Sequence, residues 1–158
     1  MRNTRNMHDM NDPARLYRES AVRGASPVGL IVILYEEVVR SLRRAQRGIE
    51  QGNIEERTLG VSHAIRVIGH LQSVLNFEAG GDVARDLSAF YNAARTQILR
   101  ANSGAHAKPI ETLATGFSAV AEAWKQVDRE VGDPSSGLPA IPSIYSIQAD
   151  GSTVYMRG

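Results

Sequence analysis

From Ser26 onward, apolar residues recur at steps of three and four, the spacing that keeps side chains on one face of an α-helix. Leu30, Ile31, Leu34, Val38, Leu42, Ala45 and Ile49 form one such stripe. Val28, Val32, Tyr35 and Val39 form a second along the same stretch. Ser26 is suited to cap the first turn and Pro27 to fill the first helical position. Gly52-Asn53 is a good stop, so the pattern predicts a helix over 27–51. A helix in a small bundle buries one stripe, and the second then needs a neighbour or a partner. Full burial of a valine-sized side chain is worth roughly 1.5–3 kcal/mol, so a bare second stripe would invite binding. Two readings stand: the 14–23 segment or the C-terminal tail covers it, or it lines a groove for an apolar segment of another protein.

The remaining helices follow from the same periodicity. A second is predicted over 54–77 with Val61, Ile65, Ile68, Leu71 and Leu75 inward, broken by Gly80-Gly81. A third runs from Asp82 to Ala101 on Val83 or Ala84, Leu87, Phe90 or Tyr91, Ala94 and Ile98, and Asn102-Ser103-Gly104 ends it. Pro109 opens a fourth, whose Ile110, Leu113, Phe117, Val120, Trp124, Val127 and Val131 form a heptad-like seam. Such helices joined by short loops predict an all-α, antiparallel up-down-up-down four-helix bundle over 14–134, preceded by a flexible 1–13 and a short helical pattern at 14–23. The tail, 135–158, changes character. Alternating runs flank Asp150-Gly151, a two-residue turn signal, which predicts a hairpin over 143–157. A lone hairpin is marginal in water, so 138–156 either docks on the bundle or stays disordered.

Composition narrows the class. A chain of 158 residues can hold a core without staples, and its net charge of +1 argues against a general nucleic-acid binder. It has no cysteine, which excludes disulfides and thiolate metal sites. No apolar run approaches the roughly 20 residues that span a bilayer, and the polar N-terminus lacks the apolar stretch of a secretion signal. A cytoplasmic protein without membrane insertion is the expectation.

Catalytic patterns are missing. Gly116-Phe117-Ser118-Ala119-Val120 lacks the last glycine of a nucleophile elbow, and no Gly-Lys-Ser/Thr phosphate loop occurs. His63 and His70 share a helix face without further ligands one turn away, so neither a metal nor a cofactor is expected. His63, with Arg66 beside it, fits a histidine phosphotransfer module as an alternative function. Arg40, Arg43, Arg44 and Arg47 form a basic cluster that, at so small a net charge, reads as a solvated face near the negative end of the helix dipole rather than as a site for an anionic partner. Trp124 and Phe117 read as core.

Tyr17, Val22, Ala25-Ser26-Pro27, Leu30-Ile31 and Leu34-Tyr35-Glu36, followed by Phe77-Glu78-Ala79-Gly80-Gly81-Asp82 and by Leu87, Tyr91, Leu99, Ala101-Asn102 and Trp124, carry a resemblance over 17–131. In these residues the chain resembles the flagellar export chaperone FliS family. The resemblance implies a helical bundle, without enzymatic activity, that binds the C-terminal segment of flagellin in outer apolar grooves and hands it to the export apparatus. It further implies that the N-terminal segment, anchored by Tyr17, lies over part of that surface when no client is bound. Gly29 departs from the family, where an acidic or polar residue is common, and removes a capping box. The expected client contacts are Tyr17, Val28, Val32, Tyr35 and Val39, with Val67, Val74 and Phe77 as the opposite wall. A bundle that self-associates through the same stripe is a third reading.

Overall fold

The computed structural model describes residues 24–132, the backbone of 146–149 and 152–155, and the isolated positions 13 and 15. Its helices are α1 (Pro27–Gln51), α2 (Ile54–Ser73), α3 (Phe77–Gly104) and α4 (Ala107–Gly132). Ser26 starts α1 as its sequence suggests: Oγ accepts from the Gly29 N–H at 2.9 Å. Gly52, at φ 66°, takes the left-handed conformation that ends the helix, and its N–H turns back to α1 carbonyls. Asn53 starts α2 at once, its side chain accepting from the Glu56 N–H at 3.1 Å. So tight a reversal makes α1 and α2 antiparallel neighbours.

Residue pairings show the same direction throughout. Gly48 faces Arg57, Gly60 faces Ser41 and Ala45, and Glu37 faces His63, so numbers fall along α2 as they rise along α1. Between α1 and α4, Ser26 meets Asp128, Tyr35 meets Phe117, and Lys125 pairs with Glu36 at 2.7 Å. Gln72 of α2 reaches Ser88 and Asn92 of α3 at 2.9 and 3.1 Å. The four helices therefore close an antiparallel ring. α1 packs extensively on both α2 and α4, while α3 touches α2 and α4 more sparingly.

The α1–α2 contact is close because glycine permits it. A Cβ added at Gly60 would lie 2.5 Å from the Ala45 nitrogen and 2.6 Å from the Ser41 oxygen. One added at Gly48 would lie 2.4 Å from the Arg57 nitrogen. At the bundle centre, Tyr35, Tyr91 and Phe117 are fully buried, with the Tyr35 and Phe117 ring centroids 5.7 Å apart. The two tyrosine hydroxyls meet at 2.5 Å, so the polar tips of both rings are accommodated inside the core. Ile110, Leu113, Phe117 and Trp124 of the expected α4 seam are buried, with Val120 and Val127 partly so.

Boundaries depart from expectation at the α2–α3 corner. α2 ends at Ser73 rather than Phe77, because Asn76 caps the next turn by accepting from the Ala79 N–H at 3.0 Å. Phe77 thus belongs to the first turn of α3 and not to α2. The break expected at Gly80-Gly81 is present as a kink inside α3, where Gly81 has φ 51° and ψ −126°. α3 continues to Gly104, one turn past Ala101, and Ala105 ends it at φ 52°. α4 starts at Ala107, with Pro109 still inside the first turn, where a missing N–H costs little.

In the tail, β1 (Ser146–Ala149) and β2 (Ser152–Tyr155) pair antiparallel, Ile147 opposite Val154 and Ala149 opposite Ser152. The intervening 150–151, the flanks and the tail side chains lie outside the described residues, as does the expected docking of 138–156. The bundle is all-α, and a hairpin appendage packed on it is not supported.

Candidate partner-binding surface

The second stripe of α1 is mostly interior. Val28, Val32 and Tyr35 are buried, Tyr35 completely, and Val39 is half-buried against the core. The expectation that Val28, Val32 and Tyr35 line an open groove is therefore corrected. α1 is flanked by two extensive neighbours, α2 and α4, and Tyr35 meets Phe117 of α4 and Tyr91 of α3. Val67, assigned to the opposite wall, is buried as well, and Val74 is half-buried as the C-cap of α2. Tyr17 and the segment 14–23, expected to cover part of this surface, fall outside the described residues, isolated Arg15 apart.

Among the described members of the expected set, Phe77 alone is exposed, at 47%. Val83, just beyond the Gly81 kink, is 48% exposed. With half-buried Val74 they follow one another around the α2–α3 corner. The local cause is sequence: Asn76 restarts the helix, Gly81 bends it, and the buried stripe of α3 is narrow, running through Ala84, Tyr91, Ala94, Ile98 and Ala101. Leu99 and, on α2, Leu59 are exposed at 51% and 44%. None of Val83, Leu99 and Leu59 was in the expected set. The alternative of Val83 or Ala84 as the inward residue was the signal for the first of them, since only one of two neighbours can face the core.

The α2–α3 seam next to this corner is polar. Gln72 donates to Ser88 and Asn92, and Arg95 donates to both Gln72 and Asn92. Side-chain hydrogen bonds of this kind contribute only about 0.5–1.5 kcal/mol each, so α3 is held less firmly than α1.

Several charged side chains elsewhere are paired at the surface. Arg44 makes a two-pronged pair with Glu56, both bonds at 2.7 Å, and its hydrogen bond is the first cause holding the Glu56 carboxyl below its ordinary range. Lys125 is pushed above the ordinary lysine range, first by its hydrogen bond to Glu36 and then by that to Glu122. His63 lies 3.5 Å from a Glu37 oxygen, an acceptor that repels a phosphoryl group on the same ring, which argues against phosphotransfer. Among the described residues no group of three or more His, Cys, Asp or Glu is arranged to hold a metal. No described helix is long and apolar enough to cross a membrane.

Comparison with known proteins identifies relatives of the chain. A family model described as flagellar protein FliS matches residues 10–131. The chain is similar to the flagellar secretion chaperone FliS of Salmonella typhimurium, 37% identical over 115 residues that make up 72% of this chain and 85% of that protein. It is also similar to the protein of the same name from Campylobacter jejuni, 30% identical over 111 residues, 70% of this chain and 87% of the relative. With that of Bacillus subtilis the identity is 26% over 121 residues, 74% and 86% of the two chains.

Proposed function

Because this chain belongs to the flagellar protein FliS family, a family of secretion chaperones and not of enzymes, we propose that it binds the C-terminal segment of flagellin in the cytoplasm. In this reading it shields an apolar segment that would otherwise polymerise, and passes it to the export apparatus. The observation that carries the surface assignment is the exposure of Phe77 and Val83 on either side of the Gly81 kink. An aromatic ring left half in water gains on burial against an apolar segment, and buried aromatic anchors commonly dominate binding energy. Val74, half-buried and packed against the core at the C-cap of α2, extends this set.

Co-purification of the full chain with flagellin, intact and lacking its C-terminal helix, tests the reading. Intact flagellin is expected to be retained and the truncated form lost; equal retention of both would overturn it. Phe77→Glu is expected to weaken flagellin binding by about 2 kcal/mol or more, with the helical circular dichroism unchanged.

A further inference from the structure

An open groove runs between α1 and α2, lined by Val39, Arg43, Arg47, Leu59 and His63, with Gly60 in its floor and the Glu37 carboxylate, paired with Arg40, at its edge. It exists because Gly60 lets the two backbones meet, so the long side chains above that contact stand apart as walls. Arg40, Arg43, Arg44 and Arg47 share this face at helical spacing, where like charges one turn apart repel. Two of the four are answered within the chain, Arg40 by Glu37 and Arg44 by Glu56. Arg43 bonds to the neutral Gln46 at 3.1 Å, and among the described residues no carboxylate lies within ion-pair distance of it or of Arg47, whose charge acts on Glu56 only through space. The helix dipole does not account for them: its effect is confined to the last turn, and the last turn of α1 contains no basic residue. Between these cations Leu59 is 44% exposed.

We propose that this groove is a docking site for an acidic amphipathic helix of a partner protein, its apolar side on Leu59 and Val39 and its carboxylates on Arg43 and Arg47. Charge complementarity selects the partner's sign, and planar guanidiniums match carboxylates in two-pronged pairs. The exposed leucine selects a segment with an apolar stripe over a bare polyanion. A nucleic acid is disfavoured because the whole chain carries a net charge of only +1. The site is separate from the α2–α3 corner and does not depend on the flagellin reading.

Fluorescence anisotropy of the full chain tests it, with a labelled synthetic peptide of about four helical turns carrying a leucine stripe flanked by glutamates, and a second peptide with glutamine in their place. The glutamate peptide is expected to bind at least about tenfold more tightly at low ionic strength, with the gap closing as salt is added. The R43E/R47E double variant is expected to abolish that preference, and L59S to weaken the glutamate peptide severalfold. Arg47→Gln alone, at an exposed position, repeats the test should the double variant fold poorly. Phe77→Glu is expected to leave peptide binding unchanged, which separates this proposal from the client site. Equal binding of the two peptides, or full affinity in Arg47→Gln and in the folded double variant, would overturn the proposal. So would a single-stranded oligonucleotide or phosphatidylglycerol vesicles bound more tightly than the glutamate peptide and lost in the same variants.

Discussion

Ser26 joins two helices through one oxygen. Its Oγ accepts from the Gly29 N–H and donates to Asp128 at 2.5 Å, so a carboxylate from α4 stands at the positive end of α1. This supplies from another helix the acidic group that a capping box would draw from position 29. A Cβ at Gly29 would lie 3.0 Å from Ser26 Oγ and 3.5 Å from Asp128, so an acidic side chain there would compete for the same place. Ser26→Ala is expected to lower stability by about 1 kcal/mol in urea denaturation, a loss typical of a cap. Val32 gives the complementary prediction for a buried position. Val32→Glu would put an unpaired carboxylate at a site only 7% exposed, with an expected loss of about 3 kcal/mol or more in the same measurement. A Val32→Glu protein of normal stability that fails to bind flagellin would restore Val32 to the client surface.

At the scale of the helix pair, two glycines with the same helical backbone have opposite roles. Gly60 sits where a Cβ would strike the backbone of α1, so α1 and α2 must separate to admit any side chain. Gly116, on the exposed side of α4, has nothing within 4 Å of its would-be Cβ. Gly60→Ala is expected to destabilise by about 1–3 kcal/mol, as overpacking does. Gly116→Ala is expected to stabilise by about 0.5–1 kcal/mol, because alanine loses less backbone freedom in a helix. Thermal denaturation of the two variants checks both signs. The small residues Ser41, Ala45 and Gly48 of α1 and Gly60 and Ala64 of α2 are visible in the sequence at helical spacing, and they are what lets these helices approach so closely.

For the whole molecule, the uneven packing predicts uneven dynamics. α3 has the narrow buried stripe, the polar seam to α2 and the Gly81 kink, so amides of 77–83 are expected to exchange with solvent faster than those in the middle of α1. Hydrogen exchange on the full chain checks this order; equal protection would contradict it. Its surface pairs set how stability responds to pH. Glu56 is held below the ordinary carboxylate range by Arg44, so its contribution is present above the unfolded-chain pKa and is lost as pH falls through the folded value. Lys125 is held above the ordinary range by Glu36 and Glu122, so its contribution is complete below the unfolded-chain pKa and is lost as pH rises through the folded value. Between about pH 5 and pH 9 neither group titrates, and the melting temperature is expected to be insensitive to both. Glu56→Gln should flatten part of the decline on the acid side and Lys125→Met part of that on the alkaline side, each by a small amount because both pairs are exposed.

Helix content, the start and stop of α1, the α4 seam and the family were all determined by the sequence alone. Each rests on local chemistry or on a residue pattern: Ser26-Pro27 and Gly52-Asn53 act on their own turns, and a periodicity of three and four persists whatever the helix packs against. Only the tertiary structure decided which apolar stripes remain open. Val28, Val32 and Tyr35 carry the same periodic signal whether they meet α4, α2 or a partner, and burial depends on neighbours distant in the chain. It also decided that Phe77 belongs to α3, since the strength of Asn76 as a cap relative to the continuing apolar spacing depends on where α2 must end to let α3 return along it. The exposed apolar corner and the α1–α2 groove are products of that packing: a surface is what the helices leave uncovered, and periodicity within one helix does not specify its neighbours.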